Sequence, residues 1–178
     1  MMFGRSVRRS GKVVAAAAFL LIAASCGEPR ATAPQTSSSR TDGSSPSLIE
    51  CPTNQTSSTS ALVGLLGGSV QLGATGITIP SGALTAPTLI QVTVPASRFM
   101  EIDVSAVGFT SFLFQQPVTI TIDYSRCNRN DLNPHTLQVW HIDPVTHQLL
   151  ENMGGVVDTV AEQITFTTGH LSGYAVAN

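Results

Sequence analysis

Gln116-Pro117-Val118-Thr119-Ile120-Thr121-Ile122-Asp123 carries the clearest periodicity in this chain. Val118, Ile120 and Ile122 alternate with Thr119, Thr121 and Asp123. Successive side chains of a strand point to opposite faces, so this stretch has one apolar and one polar face. Branched residues fill both faces, as suits a pleated, half-buried surface. Pro117 has no amide to donate, which predicts that the strand begins there. The same period recurs on either side. Ile90, Val92 and Val94 alternate with Gln91 and Thr93, and Ile164 and Phe166 with Thr165 and Thr167. Thr136 to Ile142 reads as a further strand, with Gln138, Trp140 and Ile142 on one face. Asp143-Pro144-Val145-Thr146 then turns the chain into Leu149-Leu150, which is a hairpin by its turn chemistry.

No window sustains a helical period, and glycine, proline and asparagine clusters separate the short alternating stretches. Residues 61–178 are therefore expected to form one all-β domain, an antiparallel β-sandwich with a single two-sheet core. Residues 26–60 are dominated by Ser, Thr, Pro, Gly and Gln, with little beyond Leu48 and Ile49 to bury. Such a composition cannot offset its own ordering entropy and predicts a flexible tether. Further upstream, Arg5, Arg8, Arg9 and Lys12 precede an apolar run from Val13 to Ala24, then Ser25 and Cys26. A basic start, a short apolar middle and small residues before the break form a secretory signal, here residues 1–25. The run is well short of the roughly 20 residues that a membrane-spanning helix needs. Ile22-Ala23-Ala24-Ser25-Cys26 resembles the bacterial lipobox, in which the signal is cut before a cysteine that then receives lipid. That resemblance implies a membrane partner through lipid on Cys26. With Gly27 following the cysteine, it also implies the outer membrane of a bacterial cell envelope.

Loss of residues 1–25 removes four of nine basic residues and none of eleven acids, leaving five minus eleven, a net charge of −6. From Glu50 onward Arg98, Arg126 and Arg129 are the only cations. A nucleic-acid partner is excluded, because binding to phosphate requires a basic surface. After residue 25 there is no lysine, so Schiff-base chemistry and a lysine-built phosphate loop are also excluded. Once Cys26 is assigned to lipid, Cys51 and Cys127 remain as an even pair, and in an exported protein they are expected to form a disulfide.

Three stretches in the β-rich region stand in a familiar order: Gly67-Gly68-Ser69-Val70-Gln71-Leu72, Ile77-Thr78-Ile79-Pro80-Ser81-Gly82-Ala83-Leu84 and Gln116 to Ile122. With the final Thr168-Gly169-His170-Leu171-Ser172-Gly173-Tyr174-Ala175-Val176, they resemble the ZU-five domain, and more closely its bacterial relatives on exported proteins. The resemblance covers residues 61–178 and implies a β-sandwich interaction or scaffold module, with another envelope protein as its expected partner and no cofactor. Read as residues, these motifs are punctuation: Gly67-Gly68 permits a turn, and Pro80-Ser81-Gly82 ends a strand. They carry no catalytic role.

Several constellations hold chemistry-bearing residues. His170-Leu171-Ser172 also resembles the cleavage site of self-processing receptor domains. In that chemistry His170 takes the proton of Ser172, whose hydroxyl attacks the Leu171 carbonyl, and the ester is then hydrolysed. Such a step needs a strained peptide, whereas an ordinary strand edge would only hydrogen-bond these side chains. His135, His141, Asp143 and His147 offer metal-ligand types around one hairpin, although a metal centre wants at least three of them converging, so no metal is expected. Glu101 with Asp103, or Asp123 with Asp131, can be posed as a glycosidase pair, but acids on outer strand faces are expected for solubility. Ten aromatics with one tryptophan, Trp140, leave a carbohydrate or peptide binder as a further alternative to the non-catalytic module.

Overall fold

The computed structural model describes residues 45–127 and 132–178. The expected signal, Cys26, most of the tether, Arg129 and Asp131 lie outside the described residues. The strands are β1 (Ser57–Val63), β2 (Gly68–Leu72), β3 (Thr75–Ile79), β4 (Thr88–Val94), β5 (Glu101–Ala106) and β6 (Leu113–Asp123). They continue as β7 (Gln138–Ile142), β8 (Leu149–Gly154), β9 (Val156–Asp158), β10 (Gln163–His170) and β11 (Gly173–Ala177). A six-stranded sheet has the order β1-β4-β5-β11-β7-β8 and a five-stranded sheet the order β2-β3-β6-β10-β9, with antiparallel pairing throughout. The all-β sandwich expected from the alternation is the fold.

The core lies between the sheets, where the period-two faces meet. Val118, Ile120 and Ile122 of β6 are wholly buried beside Ile164 and Phe166 of β10 and Ile77 of β3. Facing them are Ile90 and Val92 of β4, Ile102 and Val104 of β5, and Tyr174 and Val176 of β11. Each such side chain contributes about 1.5–3 kcal/mol by leaving water. The threonines of β6 and β10 pair on the opposite face: Thr121 stands across from Thr165, with their hydroxyl oxygens 3.1 Å apart. Residues 64 to 67 turn β1 into β2 with Gly67 at φ 77°, and a Cβ on Gly67 would meet the backbone of Ile79 and Pro80.

Two expectations of the sequence need correction. Pro117 does not begin its strand, because β6 opens at Leu113. The β6–β10 register jumps from Val118 opposite Thr168 to Leu113 opposite His170, and Pro117 occupies this irregularity, where no ladder amide is required. The folded part also begins before Ala61. β1 opens at Ser57, and Ile49 and Cys51 are buried in the core. The amide of Ile49 donates to the Val176 carbonyl at 3.0 Å, and the Ile49 carbonyl accepts from Met100 at 3.3 Å, so backbone pairing orders a segment poor in apolar side chains. In β7 the shared face read from the sequence is present, and the structure decides which face turns inward. Gln138, Trp140 and Ile142 do share a face, yet the core takes Val139, which pairs with Val176, while His141 pairs with Tyr174. Ile142 is buried on the outer face, next to Gly173 and Pro144.

Cys51 and Cys127 lie at disulfide distance, with Cα atoms 4.6 Å apart across 76 residues of sequence. Beside them Arg126 donates to the carbonyls of Pro52 and Phe99. These contacts hold the segment before β1 to the turn after β6.

Candidate functional site

The polar side chains closest to chemistry gather where β10 gives way to β11 and the chain crosses from the five-stranded to the six-stranded sheet. β10 ends on Thr168, Gly169 and His170, and the register shift between Thr168 and His170 bends the strand there. Leu171 and Ser172 make the crossing, pinned by backbone bonds from the Leu171 amide to the Phe112 carbonyl at 3.1 Å and from the Val104 amide to the Ser172 carbonyl at 3.1 Å. β11 then runs beside β7, which sets Tyr174 opposite His141, and β8 pairs on the far side of β7, which sets Glu151 opposite His141.

Tyr174 is wholly buried, and its hydroxyl donates to the His170 carbonyl at 2.6 Å and lies 3.2 Å from Thr168 Oγ1. Burial pushes its pKa up to about 12, so it stays a neutral donor. Thr168 Oγ1 lies 3.2 Å from His170 Nδ1 and also accepts from the His170 amide at 3.2 Å. Ser172 Oγ lies 2.8 Å from His141 Nε2. The two imidazoles meet edge to face with centroids 5.1 Å apart. Burial and the neighbouring His170 lower the His141 pKa, against a smaller opposing pull from Glu151, so neutral imidazole is favoured.

These contacts redistribute the sequence candidates. His170 is not the partner of Ser172: the hydroxyl of Ser172 meets His141, and His170 is held by Thr168. A serine hydroxyl and an imidazole nitrogen at this distance form a nucleophile and base within reach of each other. Leu171 and Ser172 are not among the residues with positive φ, so the peptide between them lacks that signature of strain.

The four candidate ligands around the hairpin do not converge. Asp143 shapes the turn, its carboxylate accepting from the amides of Val145 and Thr146 at 2.8 Å each, and these bonds depress its pKa. His147, at φ 57°, swings to the outer face and meets the Glu101 carboxylate at 3.2 Å and the Phe99 ring at 5.1 Å between centroids. His135 is exposed in a short 3-10 turn, Pro134–Thr136, capped by Asn133. His141 instead points inward and joins His170 and Glu151. Sequence reasoning missed Glu151, which nothing distinguishes from any other acid on an edge strand.

The paired acids separate in a similar way. Glu101 and Asp103 share the outer face of β5, but Glu101 is buried against His147, and desolvation raises the Asp103 pKa. The carboxylate of Asp123 accepts from the Ser125 amide at 2.8 Å. Trp140 is half-buried and stands apart from the aromatic stack, which runs through Phe109, Phe112 and Phe114 with centroids 5.4 and 5.2 Å apart. No family model matches this chain. None of the curated proteins matches it significantly either.

Proposed function

We propose that this protein is an exported, lipid-anchored component of a bacterial cell envelope that displays a ZU-five-like β-sandwich as a non-catalytic interaction or scaffold module. The observation that carries the reading is the approach of Cys51 and Cys127 to disulfide distance. Such a pair persists in an oxidising compartment and is rare in reducing cytosol. The N-terminal lipobox resemblance supplies the address, and a lipid anchor on Cys26 gives more than the two signals that stable attachment needs. An envelope partner has sheet edges to pair with, since β1 and β2 each end a sheet and carry exposed residues. The scarcity of cations, with only Arg98 and Arg126 among the Lys and Arg of the described residues, argues against a nucleic-acid partner.

Cell fractionation tests the anchor. Cys26→Ala is expected to move the protein from pelleted membranes to the soluble fraction, and unchanged pelleting overturns the proposal. A self-processing domain is the second reading, favoured by the 2.8 Å approach of Ser172 to His141. Intact mass under denaturing conditions separates the two. A chain continuous through Asn178 supports the passive module. A body ending at Leu171 with a free peptide from Ser172 onward, lost in Ser172→Ala and in His141→Ala, makes it self-processing.

A further inference from the structure

Three strands bring three metal-ligand side chains to the crossing between the sheets. His141 of β7 and Glu151 of β8 are direct cross-strand partners, so they project from the same face as nearest neighbours. His170 comes from the end of β10 in the other sheet. One ligand-capable atom from each lies within 4.8 Å of the other two, and this is the group among the described residues that could hold an ion. We propose that His141, Glu151 and His170 bind a divalent transition metal ion, zinc foremost, and that the ion ties the two sheets together at the histidine end.

Two imidazoles and a carboxylate are a borderline-soft donor set that suits zinc and disfavours calcium and magnesium, which take oxygen ligands. Three protein ligands leave a fourth position for water or a partner's group. At metal–ligand distances of about 2.0–2.2 Å, donor atoms in a tetrahedral set stand roughly 3.3–3.6 Å apart, so from separations within 4.8 Å the cluster must close by at most about 1.5 Å. Glu151 is exposed on the edge strand β8, and rotation of its side chain can supply that closure. Metal-bound histidines are held by a partner on the second ring nitrogen. Both partners are present: Thr168 Oγ1 at His170 Nδ1 and Ser172 Oγ at His141 Nε2, which leaves the other nitrogen of each ring for the ion. Thr168 is itself fixed through the Tyr174 hydroxyl.

Calorimetric titration of the metal-stripped full-length chain with zinc at neutral pH, with thermal melts run alongside, tests the proposal. The expected result is one zinc per chain and a higher melting temperature in its presence. Binding is lost in His141→Gln and in His170→Gln. Thr168→Val weakens binding by roughly tenfold or more, and Glu151→Gln weakens it further than that. His135→Gln and His147→Gln leave affinity unchanged. No heat with the wild-type chain overturns the proposal, and so does binding that survives both His141→Gln and His170→Gln or that disappears in His135→Gln. Because the half-buried histidine variants can lose structure, the exposed Glu151→Gln decides independently: native circular dichroism with unchanged zinc affinity also overturns it.

Discussion

The two ends of the sandwich are closed by different chemistry. Where β6 ends, Cys127 approaches Cys51 and Arg126 donates to the backbone of residues that lead into β1 and β5. Where β6 begins, the sheets meet through Tyr174, Thr168, His170, His141 and Ser172, linked by hydrogen bonds of 2.6 to 3.2 Å. A covalent tie acts largely by restricting the unfolded chain, whereas the polar network acts in the folded state by satisfying groups already withdrawn from water. The first kind of closure is indifferent to the details of its surroundings. The second depends on every partner being in place, which is why it can also be a site.

The largest effect is expected at the cysteine end. Replacing Cys51 and Cys127 by serine is predicted to lower stability by about 4 kcal/mol, as the closure of so long a loop implies, in urea unfolding with reductant as a parallel control. Equal stability of the wild-type chain with and without reductant breaks the comparison, because it means that the two cysteines are not joined. A smaller loss is expected at the histidine end. Tyr174→Phe keeps the buried ring and removes the hydroxyl that bonds to His170 and Thr168, at a predicted cost of about 1–2 kcal/mol by the same measurement.

The smallest effect is a dependence on pH. Asp103 sits on the outer face opposite Gly173, and desolvation raises its pKa in the folded state. Between its unfolded value of about 3.9 and the higher folded value, the folded chain binds more protons, so stability falls as pH rises through that window and the full cost remains above it. Asp103→Asn is therefore expected to raise the melting temperature by about 1–2 °C at pH 7, an increment held small by solvent screening, and to give no gain below about pH 3.5. A gain that persists at the lower pH assigns the effect to packing and removes the electrostatic explanation.

The legibility of the two ends differs as their chemistry does. Cys51 and Cys127 could be paired on paper because, with Cys26 set aside, only one partner remains for each. The histidines could not. His141 and His147 are near in sequence, yet they face opposite sides of the sheet, one beside Tyr174 and the other against Glu101. Glu151 was invisible because its role follows from lying opposite His141, and the irregular register of β7 with β8 sets that pairing. The ordering of Ile49 was equally hidden, since its hydrogen bonds go to Val176 and Met100, far along the chain.

Alternation in β6, β10 and β4 alone was enough to specify an all-β sandwich and the centre of its core, because the side-chain period of a strand is a local property of the backbone. Composition alone likewise carries the expectation that no nucleic acid is bound. Which strands lie side by side, which face of β7 turns inward, and which histidine meets Ser172 were decided only by the folded chain. Those contacts join residues far apart in sequence, and local sequence carries no record of a register that long-range packing selects.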